Sequence, residues 1–91
     1  MRLDWDEAKR QTNLHKHSLD FADAQAVFDG YTVTIEDARR EYHEQRFLTF
    51  GLLQGQVVAI AHTERADRIR IISMRKASKH EERAYFREIK D

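Results

Sequence analysis

The feature that most constrains the fold lies between Tyr31 and Arg75, where apolar residues recur at every second position in runs parted by short polar breaks. Tyr31, Val33 and Ile35 alternate with Thr32 and Thr34, the pattern of a half-buried strand. Arg46 to Leu53, carrying Phe47-Leu48-Thr49-Phe50, reads as the next strand, and Gln54-Gly55 as a tight turn. Gln56 to Thr63 is apolar at Val57, Val58, Ala59, Ile60 and Ala61, so it is expected to be a central strand covered on both faces. Glu64 to Asp67 turns the chain into a last strand, Arg68 to Arg75. There Ile69, Ile71 and Ser73 are expected on one face and Arg68, Arg70, Ile72 and Met74 on the other. The polar segment Glu36 to Gln45 reads as a hairpin loop. Connections this short imply an antiparallel meander.

Helical signals flank the strands. Leu3 and Trp5 are compatible with a short first strand. Asp4 with Glu7, or Asp6 alone, can start a helix that runs to about His17. Its apolar signal is thin (Trp5, Ala8, Leu14), and Lys9, Asn13 and Lys16 or His17 are expected to share an exposed face. Ser18 and Asp20 cap a second helix, Phe21 to Phe28, whose Phe21, Ala24, Val27 and Phe28 form a core-facing stripe, with Gly30 after its end. Ser78-Lys79-His80-Glu81 is a capping box before a third helix, Lys79 to Lys90, with Ala84, Tyr85, Phe86 and Ile89 as a partial apolar stripe. The expected class is α+β: two N-terminal helices, an antiparallel sheet of about four strands and a C-terminal helix.

Ninety-one residues make one small domain, expected to span 1–91. Without cysteine there is no disulfide framework and no thiolate nucleophile or metal site. There is no apolar run near the length of a membrane span, and the N-terminus turns acidic where a signal peptide is apolar, so a cytoplasmic protein is expected. Sixteen Lys and Arg balance sixteen Asp and Glu, yet Arg65 to Lys79 holds six basic residues against Asp67 alone, about +5 in a neutral chain. A local field of that kind attracts phosphates or an acidic partner. The acidic stretch Asp20 to Glu44 is its counterpart, either a solvated face or a cover over the basic strand. No recognition-helix pattern points to DNA binding by this chain alone.

Two separated motifs carry a resemblance. Trp5-Asp6-Glu7-Ala8-Lys9, Asn13-Leu14, Lys16-His17, Leu19, Phe21, Ala24 and Val27-Phe28-Asp29 resemble the N-terminal half of the BrnT toxin family. His62-Thr63-Glu64-Arg65, Asp67-Arg68-Ile69-Arg70-Ile71-Ile72-Ser73 and Arg75-Lys76-Ala77, followed by Glu81 or Glu82 and Tyr85, resemble its C-terminal half. Ser18 stands where the family often has Gly, a harmless change at a cap. The resemblance implies a RelE-like fold and the toxin of a type II toxin–antitoxin pair, a ribonuclease that shuts down translation. It also implies a BrnA-type antitoxin with a ribbon-helix-helix domain, and binding of operator DNA only through the complex.

Cleavage of RNA by its own 2′-OH needs a base, a cation at the phosphate and an acid for the 5′ oxygen; arginine and lysine can supply the cation, so neither metal nor cofactor is expected. Arg65, Arg70, Arg75 and Lys76 are candidates for holding phosphate, since the guanidinium fork binds it bidentately. The competing reading is that they are surface arginines paired with Glu64, Asp67 or the acidic segment. Arg68 and Lys79 extend the patch. Lys9 and Lys16 are phosphate contacts or solvated residues. His17 and His62 are acid–base candidates, though His17 also suits a helix C-terminus and His62 a hydrogen-bonded core position. Tyr85 is a proton donor, a base-stacking ring or a core residue. The pair His15 and His17 does not share a helix face, and with His43 in a loop no metal site is expected. The alternative to a ribonuclease is a non-catalytic module, or a degenerate toxin, that docks an antitoxin or nucleic acid through the basic strand.

Overall fold

The computed structural model describes residues 1–38 and 44–90. Among them five strands form one sheet: β1 (Arg2–Trp5), β2 (Val33–Glu36), β3 (Phe47–Leu53), β4 (Gln56–Arg65) and β5 (Arg68–Lys76), in the order β1-β5-β4-β3-β2. The four strands from β2 onward are the antiparallel meander that the alternation predicts. The short first strand open to Leu3 and Trp5 forms, but its pairing departs from an all-antiparallel sheet. β1 precedes the helices and pairs parallel to β5, Arg2 opposite Arg68 and Trp5 opposite Ile71, so the sheet is mixed and has five strands rather than about four. Leu3 and Trp5 hold it there by packing on the core, Trp5 meeting Phe21 edge-on with centroids 6.2 Å apart.

Helix α1 (Glu7–His17) starts where the Asp6 carboxylate accepts the Ala8 and Lys9 amides. It ends at Ser18, in the left-handed region at φ 58°, whose N–H bonds back to Leu14. The expected second helix is shorter and divided. A 3-10 turn, Phe21–Asp23, capped by Asp20, leads into α2 (Ala24–Phe28). These elements cover one face of the sheet, burying Phe21, Ala24 and Val27 against Val58, Ile60, Ile69, Ile71 and Met74. Gly51 permits the close approach, because a Cβ there would lie 2.6 Å from Val27 Cγ1. Helix α3 (Lys79–Lys90) covers the other face, with Tyr85 packed among Leu48, Phe50, Val57, Ala59 and Ala77. The capping box forms as expected: Ser78 Oγ accepts from the Glu81 amide and the Glu81 carboxylate accepts from the Ser78 amide. β4 is buried on both faces, as its sequence predicts.

Three local expectations are corrected. Ala61 pairs with Ser73 but His62 with Ile71, so Ile72 is an extra residue in a β-bulge. The bulge reverses the alternation: Met74 joins Ile69 and Ile71 in the core, and Ser73 falls on the opposite face. Asn13 does not lie on an exposed face with Lys9 and Lys16, because its amide is turned inward onto β5 and is 6% exposed. Tyr31, expected to begin a strand, is 83% exposed and precedes β2. Of the loop expected over residues 36–45, residues 39–43, His43 included, lie outside the described residues.

Candidate functional site

The strand register gathers part of the basic stretch. Arg65 pairs with Arg68 and Thr63 with Arg70 across β4 and β5, while Arg2 and Asp4 pair with Arg68 and Arg70 across β1. Cross-strand partners point to the same face, and this is the face opposite Ile69 and Ile71. α3 leaves β5 from its other end, so the arginine side chains stand exposed. Asp4, Thr63, Arg65, Arg68 and Arg70 line a depression of about 330 Å³ with Glu44, Gln45 and Glu64. One Asp4 oxygen accepts from Arg68 Nη1 and the other from Arg70 Nη1, each at 3.2 Å. The two arginine side chains are 51% and 53% exposed. Pairs this open contribute about 0–1 kcal/mol, so an incoming phosphate competes with Asp4 on nearly equal terms. Arg65 makes no ion pair among the described residues.

The remaining basic residues lie elsewhere. Arg75 is five residues along β5 from Arg70, roughly 17 Å at strand rise, and forks onto Glu81 at 2.8 and 3.0 Å. That hydrogen bonding, with Ser78 added, holds the Glu81 carboxyl down at about 2. Lys76 and Lys79 are exposed at the same far end. Lys9, Lys16 and His17 are on α1, behind the sheet from the depression; Lys9 and Lys16 are solvated and His17 half-buried in the last helical turn.

His62 and Tyr85 are interior. His62 is 1% exposed, stacked on Phe47 at 5.8 Å and edge-on to Phe28 at 5.4 Å. Its Nε2 shares a 2.7 Å hydrogen bond with Thr49 Oγ1, which meets Thr34 Oγ1 at 2.8 Å, a polar ladder across three strands. Its Nδ1 makes no hydrogen bond of good geometry among the described residues. Burial pushes its pKa below the usual imidazole value, against the smaller opposing pull of Glu64 and the Thr63 backbone. The ring is therefore neutral near pH 7, out of reach of a surface substrate. Tyr85 donates its hydroxyl to the Tyr31 carbonyl at 2.7 Å, and burial raises its pKa. It also floors an apolar groove of about 430 Å³ between β2 and α3, with Val33, Ile35, Leu48 and Phe50.

Sequence reasoning missed Asp4 as a site residue, because the parallel pairing that places it beside Arg68 and Arg70 spans 64 residues and leaves no local signal. Among the described residues no group of three His, Asp or Glu side chains is arranged to hold a metal ion, and no helix is long and apolar enough to cross a membrane.

The fold and site thus define a small α+β protein that presents guanidinium and carboxylate groups together at one open end of a sheet. Comparison with known families is more specific. The model of the ribonuclease toxin BrnT, of type II toxin–antitoxin systems, matches residues 5–81, and the chain belongs to that family. No individually curated protein matches it. Membership makes it a ribonuclease toxin whose biology includes an antitoxin partner.

Proposed function

We propose that this toxin is an endoribonuclease that cuts RNA by attack of a ribose 2′-OH on the adjacent phosphate, without a metal ion, and so arrests translation. The observation that carries the reading is the convergence of Arg65, Arg68 and Arg70 in one open depression, with two of the three held only by surface-strength ion pairs. A phosphate there meets several N–H donors in fork geometry, and the same donors stabilise the added charge of the pentacoordinate transition state. Lys79, a long step away at the exit of the same strand, serves longer RNA as a backbone contact, and Lys76, which pairs with Val58 and leaves from the other face, serves only RNA that wraps the strand end; Arg75 serves fold and patch together through Glu81. A BrnA-type ribbon-helix-helix antitoxin neutralises the toxin, and operator DNA is engaged only through that complex.

The test is a cleavage assay on a defined RNA in EDTA, with an Arg68→Ala/Arg70→Ala variant of confirmed fold alongside. Cutting that survives chelation and is lost in the variant is the expected result. A second reading, a non-catalytic module that only binds antitoxin or nucleic acid, draws support from Arg75, His62 and Tyr85 all being engaged in structural contacts. Absence of cutting with or without ribosomes, together with absence of growth arrest on expression, favours it.

A further inference from the structure

We propose that Asp4 is the general base of the cleavage, the group that takes the proton from the attacking 2′-OH; this assignment rests on the ribonuclease reading above. The charge of the depression is the first argument. Arg65, Arg68 and Arg70 stand with Asp4 and Glu44; Glu64 also borders the depression, but its side chain leaves the other face of the sheet. A surface built only to hold phosphate gains nothing from carboxylates among its arginines, whereas cleavage needs a cation and a proton acceptor side by side. The two histidines the sequence offers for acid–base work are unsuited: His62 is interior and His17 is behind the sheet.

Among the three carboxylates Asp4 is the one fixed in place. It sits on a strand, and each oxygen takes one guanidinium N–H at 3.2 Å. A carboxylate offers about four acceptor sites and these two contacts use one on each oxygen, so both keep accepting capacity for a hydroxyl. Glu64 pairs with Ile69 in the register and so faces the opposite side of the sheet. Glu44 has no hydrogen bond or ion pair among the described residues to orient it. Each guanidinium carries five N–H donors, so Arg68 and Arg70 can hold Asp4 and still donate to a phosphate.

The step is balanced within the chain, its RNA and water. The 2′ oxygen bonds to phosphorus as its proton passes to an Asp4 oxygen. The bond from phosphorus to the 5′ oxygen breaks, and that oxygen takes a proton from solvent water. The products are a 2′,3′-cyclic phosphate and a 5′-hydroxyl end, and Asp4 returns its proton to solvent.

The experiment compares wild type, Asp4→Asn and Asp4→Glu on one defined RNA, reading single-turnover rate against pH, RNA Kd, and thermal unfolding. The expected result for Asp4→Asn is a rate lower by about 100-fold or more, a Kd unchanged or tighter as a negative charge leaves the site, and loss of the acid limb of the rate profile. Asp4→Glu is expected to restore the limb and part of the rate. A rate for Asp4→Asn within about 3-fold of wild type overturns the assignment, being far short of what a base contributes. So does a loss of rate matched by weaker binding and unchanged pH dependence, which makes Asp4 only an organiser of the arginines. Removal of the acid limb by Glu44→Gln, with Asp4→Asn retaining it, moves the base to Glu44. A wild type that cuts nothing overturns the ribonuclease reading as well, a failure distinct from equal cutting by wild type and variant.

Discussion

Removing the Asn13 side chain tests how the first helix is tied to the sheet. Its amide donates to the Met74 carbonyl at 2.9 Å and the Leu19 carbonyl at 3.1 Å, and its carbonyl accepts from the Met74 amide at 3.1 Å. β1 pairs with β5 only as far as Ile71. Beyond that point one buried side-chain amide does for Met74 what a neighbouring strand would do. Asn13→Ala leaves a buried N–H and a buried C=O of Met74 without partners, and a part-buried carbonyl at Leu19. At about 1–3 kcal/mol for each unsatisfied buried group, the two on Met74 set an expected loss of about 2–6 kcal/mol. That is a large share of the roughly 5–15 kcal/mol typical of a domain. In Tm it amounts to a drop of at least about 8 °C, at about 4–8 °C per kcal/mol for a chain of this size. Urea unfolding followed through Trp5 measures it, with exposed Thr12→Ala expected within about 0.5 kcal/mol of wild type. A loss below about 1 kcal/mol at unchanged m-value would refute the reasoning, since it would mean water satisfies Met74 as well as Asn13 does.

Two further outcomes are expected. Glu81 has its folded-state pKa held at about 2 against an ordinary 4.5, so the unfolded chain takes up the proton first; its contribution is full above pH 4.5 and is lost as pH falls to about 2. Glu81→Gln should cost about 1–2 kcal/mol at pH 7 and flatten that loss. Asp20, held at about 2 by Arg10, shares the window, so the difference between the two denaturation series against pH isolates Glu81. Tyr85→Phe should cost about 1 kcal/mol for the hydroxyl's bond to Tyr31 and leave RNA cleavage at the wild-type rate. Cleavage lost with stability kept would place the Tyr85 hydroxyl in the chemistry.

What the sequence makes legible is what local physics encodes. The period of two in Val33 to Ile35, the apolar run Val57 to Ala61 and the Ser78–Glu81 box each act within one element, and each appears as expected. What it hides is decided between elements. Nothing near Asn13 announces that its partner is 61 residues away. The reversal at Ile72 arises because β4 and β5 differ by one residue between two pairs, and single-strand alternation carries no sign of that. β1 is four residues long, and its place beside β5 follows from where Leu3 and Trp5 find apolar cover, not from propensity.

The same limit governs the site. Read along the chain, Arg65 to Lys79 is a single block of positive charge. Folded, it separates into an open cluster beside Asp4 and a half-buried fork on Glu81, with a rise of about 17 Å between Arg70 and Arg75. Each half has been given a carboxylate by a distant or later element, so the local field is far weaker than the linear charge suggests. A protein that bound RNA by field alone would be weakened by these partners. One that holds phosphate at short range and must also accept a proton needs an acid among its arginines, and Asp4 is in that position. The charge that singles out the strand is therefore a poor guide to which of its arginines would meet RNA in the proposed cleavage. Exposure and register decide that, and they favour Arg65, Arg68 and Arg70 over Arg75.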